Sequence, residues 1–167
     1  IDSISLPDNE KAVKIAFNRS SIFVLSSNGY VYCSQFSETD RNNDFSFQKV
    51  VELRGIKIES ISGTYDHCFA VSNNGRVYGC GSNSFGQLGV NRGRQHVGGF
   101  IQIMSFGKRK IKEAFAGCSH SLFITNENAV LACGSNEGGE LLMYTEPSNE
   151  CVYIPTLTTI VNGAKFC

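Results

Sequence analysis

The sequence predicts an all-β fold assembled from about three copies of one four-stranded unit. Three observations carry this prediction. An apolar run, an Asn-rich turn and a second apolar run occur in that order three times. The copies follow one another at a period near 50 residues: 46 separate the first from the second (21 to 67) and 53 the second from the third (67 to 120). No helical periodicity is long enough to compete with the strand pattern. A four-stranded unit recurring at this period is the signature of a propeller blade.

The elements follow in order. The first run of each copy is Ile22 to Leu25, Cys68 to Val71 and Leu122 to Ile124. Runs so short, bounded by turn residues, read as strands buried on both faces. Asn28-Gly29 and Asn74-Gly75 supply the positive φ of a tight hairpin, and Asn128 takes the glycine's place in the third copy. The second run is Tyr30 to Cys33, Arg76 to Cys80 and Ala129 to Cys133. A strand before each hairpin is expected at Val13 to Phe17, Lys57 to Ser62 and Ile111 to Ala116. A fourth is expected at Phe47 to Val51, Phe100 to Met104 and Val152 to Leu157. The repeat limits are then 11–56, 57–110 and 111–163. Residues 1–10 close a preceding blade and 164–167 open a following one. Three blades do not close a ring. Together with Ile at position 1, this leads us to expect a piece of a longer chain, or two copies joined at their exposed edges into a homodimeric ring.

Composition narrows the function. The chain has 167 residues, of which 41% are hydrophobic and 18% charged, enough apolar content for a packed core. Fifteen basic and fifteen acidic residues cancel, which disfavours broad binding to nucleic acid and makes chromatin a weaker partner than a protein. No apolar run approaches the roughly 20 residues of a membrane span. Seven cysteines, an odd number set mostly in apolar stretches, read as free thiols in a reducing compartment, cytoplasmic or nuclear. The triplet Asn18-Arg19-Ser20 matches a glycosylation acceptor but reads as a chance occurrence.

Three sub-motifs stand in order in the second copy: Gly63-Thr64-Tyr65-Asp66-His67, then Gly75-Arg76-Val77-Tyr78, then Gly81-Ser82-Asn83-Ser84-Phe85-Gly86-Gln87-Leu88-Gly89. This arrangement resembles the regulator of chromosome condensation repeat. The third copy keeps Gly117, His120, Gly134-Ser135-Asn136 and Gly139-Glu140-Leu141. The first is degenerate: Phe17 stands for Gly, Ser21 for His, and the Gln-Leu-Gly loop is replaced by the polar stretch Ser34 to Asp44. The resemblance implies a seven-bladed propeller in the complete protein. It implies no single function, because members include an exchange factor for the GTPase Ran, ubiquitin-ligase and kinase-linked modules, and a plant ultraviolet receptor. The receptor's chemistry uses clustered tryptophans, and this chain contains none.

Candidate sites reduce to a few. Gly81, Gly86 and Gly89 lack the Lys-Ser or Lys-Thr ending of a phosphate loop and read as a tight loop packed on its hairpin. Cys118 and His120 are too close for a usual zinc pair, and His67 and Cys68 point to opposite sides of a strand. The histidines are expected to hydrogen-bond neighbouring backbone. Cysteines that recur with the repeat behave as core, not as nucleophiles. No catalytic, metal or cofactor residue is assigned. Partner-contact candidates are Asp66, at the start of a strand, and Arg92, Arg94 and His96 in a Gly-rich loop. In the Ran exchange factor, acids at such positions touch the GTPase, although most loop carboxylates are simply solvated. Lys108-Arg109-Lys110 reads as a solvated turn. The expected function is a non-enzymatic protein-interaction module. Guanine-nucleotide exchange on a Ran-like small GTPase is the alternative.

Overall fold

The computed structural model describes residues 6–36, 45–143 and 150–158. They form three four-stranded antiparallel sheets. The first contains β1 (Ala12–Phe17), β2 (Ser21–Ser26), β3 (Val31–Gln35) and β4 (Gln48–Lys49). The second contains β5 (Ile58–Thr64), β6 (His67–Ser72), β7 (Val77–Ser82) and β8 (His96–Gln102). The third contains β9 (Ile111–Ala116), β10 (His120–Thr125), β11 (Val130–Ser135) and β12 (Cys151–Leu157). In each sheet the strands lie in chain order. The first strands neighbour one another, β1 with β5 and β5 with β9, so the sheets stack as successive blades.

The hairpin turns set both register and blade spacing. Gly29, Gly75 and Asn128 sit at φ of +85°, +79° and +62°, the region their sequence promised. Each turn also reaches forward: the Gly29 carbonyl accepts from Ile58 N and the Gly75 carbonyl from Ile111 N, both at 3.0 Å. The first strand of each following blade is therefore hung on the turn of the blade before it.

Two apolar seams lie between the sheets. In the first, Phe23, Leu25 and Val31 meet Ile58, Ile61, Ala70 and Phe100. In the second, Phe69, Val71 and Leu88 meet Ala114, Phe123, Leu131 and Cys133. Phe123 is fully buried and stands edge-on to Phe69 (5.1 Å between centroids) and Phe106 (4.8 Å).

Several strand expectations need correction. The fourth strand of the second blade runs His96–Gln102 rather than Phe100 to Met104, because β8 starts where it pairs with the end of β7 at Ser82. In the first blade the fourth strand shrinks to Gln48–Lys49, and Val51–Leu53 turn into a 3-10 helix that buries Leu53. Only β6 is buried along its whole length. In β10, Ser121, Phe123 and Thr125 are buried and the alternate residues half-buried, since the described residues cover only one face of that sheet fully. Residues 1–5 and 164–167, read as parts of flanking blades, and most of the polar stretch to Asp44 lie outside the described residues. Among the described residues no helix is long and apolar enough to cross a membrane.

Truncating Phe123 to Ala removes the ring on which the second seam closes. The expected loss is about 3–5 kcal/mol of unfolding free energy, read by urea denaturation. A loss under about 1 kcal/mol contradicts the packing described.

Candidate functional site

The β5–β6 turn and the loop after β7 build one surface. At the turn, Tyr65 adopts φ +32°, rare for a side-chain-bearing residue, and its carbonyl accepts from Arg19 N of the first blade at 2.6 Å. The next carbonyl, of Asp66, accepts from Ser82 N at 2.8 Å. Gly81 lies directly against that carbonyl at φ +104°; a Cβ there would collide with it, so only glycine lets β7 approach the turn. Gly134 repeats the arrangement against Ser119 in the third blade.

Beyond Gly81 the loop is organised by Asn83, which is fully buried. Its amide nitrogen donates to the carbonyls of Arg94 (2.7 Å) and Val90 (3.3 Å), and its oxygen accepts from Leu88 N (3.0 Å). Removing such a side chain leaves buried backbone groups unpaired, at about 1–3 kcal/mol each. Asn136 plays the same part in the third blade, donating to Met143 O and accepting from Leu141 N. Gln87 Oε1 accepts from Phe85 N at 2.9 Å, and Glu140 Oε2 does the same for Gly138 N. The Glu at position 140 thus keeps the acceptor half of the glutamine's work.

The loop packs across the seam as well as on its own hairpin. Gly86 lies on the backbone of Val152 and Tyr153, and Gly89 on the Pro155 ring. Leu88 is fully buried in the second seam. The Gln87 carbonyl accepts from Ser121 Oγ at 2.7 Å and from Cys133 Sγ at 3.4 Å, both in the third blade.

His67 completes this link. The expectation of a backbone partner is corrected in part: the ring sits between two side chains. Nε2 is 2.9 Å from Ser121 Oγ, and Nδ1 is 3.1 Å from Asp66 Oδ1. A neutral ring donates through one nitrogen only, and the Ser121 hydroxyl lies within reach of both His67 Nε2 and the Gln87 carbonyl. Burial pushes the His67 pKa below its ordinary value; the Asp66 carboxylate and the His120 backbone pull the other way without winning. The order Asp66, His67, Ser121 imitates a hydrolase triad. The serine is wholly buried and its proton is committed to a backbone carbonyl, so it has no access to a substrate.

Asp66 is therefore not a free loop carboxylate; its side chain is 27% exposed and faces the imidazole. Arg92 stacks over the Tyr153 ring, 5.3 Å from the centroid, across the second seam. Arg94 and His96 come together with Glu52 beside a shallow cleft on β8. Across the first seam, Arg19 stacks over Tyr65 at 4.8 Å. The structure brings Arg94 and His96 to one cleft, sets Arg92 on Tyr153 and turns Asp66 to His67. Sequence reasoning missed Arg19, Tyr65, Phe85 and Tyr153. For Tyr65 and Phe85 the available signal was that large aromatics, usually buried, occupied turn and loop positions.

The remaining repeat residues are structural. Gly63 has no room for a Cβ against Phe17 O and Cys68 Sγ, and Gly117 has none against the His120 ring. The six described cysteines are free. Burial raises the thiol pKa of Cys33 and Cys133, and a hydrogen bond with Cys80 followed by burial raises that of Cys68. A nucleophilic thiol requires the opposite shift. Among the described residues no cluster of His, Cys, Asp and Glu could hold a metal ion.

A depressed His67 pKa makes stability depend on acid. Above the ordinary histidine pKa of about 6.5 the native and unfolded rings are both neutral, and the contribution is complete. Below it the unfolded chain takes up a proton that the native ring resists, so stability falls with pH. The expected slope between about pH 6.5 and 5 approaches, at most, 1.4 kcal/mol per pH unit from this group. Urea denaturation of wild type and His67→Gln across that range reads it. A wild-type slope no steeper than the variant's removes His67 from the account.

Comparison with known proteins agrees with this architecture. The regulator of chromosome condensation (RCC1) repeat matches residues 58–87 and, a second time, 74–124. The Arabidopsis thaliana ultraviolet-B receptor UVR8 is 29% identical over 117 residues, covering 70% of this chain and 26% of the receptor. The Bos taurus secretion-regulating guanine nucleotide exchange factor is 27% identical over 136 residues, covering 81% and 28%. The Homo sapiens probable E3 ubiquitin-protein ligase HERC4 is 27% identical over 154 residues, covering 84% and 14%. The chain thus spans well under a third of these relatives. Among solved structures, yeast RCC1 (Prp20), crystallised with Kap60, superposes with a TM-score of 0.75 at 21% identity, covering 95% of this chain and 38% of that one. Human WBSCR16 gives 0.72 at 20% identity, covering 89% and 38%. With its glycine turns, Asn83 and Asn136 loops and three consecutive blades, the chain carries regulator of chromosome condensation repeats and has the fold of part of a propeller.

Proposed function

We propose that this part of the propeller is a non-enzymatic protein-interaction module, acting in the cytoplasm or nucleus. One observation carries the reading: two exposed arginines, Arg19 and Arg92, are each held on an aromatic ring that comes from a neighbouring blade. Arginine and tyrosine dominate protein-binding hot spots, because they offer a large contact area. Here both are restrained by the seams before any partner arrives, which lowers the ordering cost of binding. Tyr65 and Phe85 add exposed apolar surface, and Arg94 and His96 line a shallow cleft on β8. The fold supplies rigid display and the loops supply contacts. The repeat limits 11–56, 57–110 and 111–163 belong to the same proposal, as does completion of the ring by further blades or by a second copy.

Guanine-nucleotide exchange on a Ran-like GTPase is the second reading. Similarity to a secretion-regulating guanine nucleotide exchange factor favours it. The pairing of Asp66 with His67 counts against Asp66 as the acting acid.

Affinity capture separates the two readings. Proteins retained by the wild-type chain should fall at least tenfold with Arg19→Glu/Arg92→Glu, whose stability is expected to be unchanged, and release of labelled GDP from a Ran-type GTPase should not be accelerated. Faster release that Asp66→Ala slows establishes exchange instead. Equal capture by wild type and the double variant overturns the proposed surface.

A further inference from the structure

In each blade the strands are antiparallel and lie in chain order, so successive turns fall at alternate ends of the sheet. Arg19 and Arg92 lie in turns at one end. The hairpins after β2, β6 and β10, and the connections from blade to blade, lie at the other. The two connections follow one plan. From β4 to β5, Arg54 N donates to the Val51 carbonyl and Ile56 N to that of Leu53. From β8 to β9, Gly107 N donates to the Met104 carbonyl and Arg109 N to that of Phe106. Leu53 and Phe106 are buried, while Val51 and Met104 are 66% and 73% exposed.

Both connections end in a lysine whose backbone is fixed from two sides. The carbonyls of Lys57 and Lys110 accept from the hairpin of their own blade, Asn73 N at 3.0 Å and Asn126 N at 2.9 Å. The glycine turn of the preceding blade lies against each of them: a Cβ on Gly29 would meet Lys57, and one on Gly75 would meet Lys110. Lys11 holds the same place in the first blade, where its carbonyl accepts from Ser27 N at 2.8 Å. This end thus carries one lysine per blade at a fixed position. Arg54, Lys108 and Arg109 add to Lys57 and Lys110, and all five are exposed, with no ion pair among the described residues. The acids at this end are few. Glu52 turns toward Gly99, Asp8 is engaged with Lys49 and Glu10 with Asn28, which leaves Glu127.

We propose that this end is a docking surface for an extended acidic segment of a partner protein, with aliphatic residues set between its carboxylates. The five cations take the carboxylates, and Val51 and Met104 take the aliphatic groups. A single exposed ion pair contributes little, so several acids must engage together. Exposed aliphatics have no part in binding a phosphate backbone, which favours a protein over nucleic acid. The exposed, polar hairpin residues Asn73, Asn74 and Asn126 interrupt the aliphatics, which disfavours insertion into a bilayer. The surface lies at the opposite end from the two arginine–aromatic pairs, and it stands whether or not they bind a partner.

The probe is the labelled peptide Glu-Leu-Asp-Glu-Leu-Glu-Asp-Leu-Glu, titrated with the full chain by fluorescence anisotropy. Saturable binding is expected at low salt. It should be lost in about 1 M sodium chloride, where charges are screened beyond about 3 Å. Lys57→Glu/Lys110→Glu should weaken it at least about tenfold and Met104→Ser about threefold, while Arg92→Glu, at the other end, leaves it unchanged. Absence of saturation at millimolar chain, binding that survives high salt, or equal binding by Lys57→Glu/Lys110→Glu overturns the proposal. Tighter binding of duplex DNA or of phosphatidylserine vesicles than of the peptide, lost in the same double variant, assigns the surface to nucleic acid or lipid and also overturns it.

Discussion

The structure depends on how one loop satisfies two blades at once. A β-sheet with two apolar faces must bury both, and a blade can do so only against its neighbours. The turn after β7 makes that contact specific. Asn83 holds the turn's backbone from within, and the Gln87 carbonyl is offered outward to Ser121 and Cys133 of the next blade. Glycine at 86 and 89 brings the two backbones together. The polar link through His67 and Asp66 then ties this seam to the β5–β6 turn, so the surface there inherits the rigidity of the core.

The same logic explains the asymmetry of the molecule. The second seam has its loop, a fully buried Leu88 and three aromatic rings in edge contact. The first seam combines apolar packing with the Arg19 N–Tyr65 O and Ile58 N–Gly29 O hydrogen bonds, and it carries a cleft lined by Phe23, Cys33, Cys80 and Phe100. Function in repeat scaffolds concentrates where the repeat is broken. Here the departures are the missing Gln-Leu-Gly loop of the first repeat and the aromatic residues beside Arg19 and Arg92.

Much of this was legible in the sequence. The period of the apolar runs placed the hairpins, and Asn128 in a glycine position announced a left-handed turn that the structure contains. Gly63, Gly81 and Asn83 marked the repeat. What escaped is non-local. The sequence places Arg92 and Tyr153 some sixty residues apart, and only the seam brings them together. Asp66 read as solvated because nothing local reveals that it faces His67. The start of β8 was missed because Asn83 reaches the Arg94 carbonyl and draws residues 94–96 onto β7, ahead of the apolar residues that drew attention.

Hydrogen–deuterium exchange of Gly86→Ala tests the central claim most directly. A methyl group at this position, where φ is +86°, meets the Val152 carbonyl and the Tyr153 backbone of the third blade. The account predicts faster amide exchange in the third blade, across β10 to β12, as well as in the loop itself. Exchange that quickens only within residues 84–89, with the third blade as protected as in wild type, would contradict the claim that this loop joins the blades.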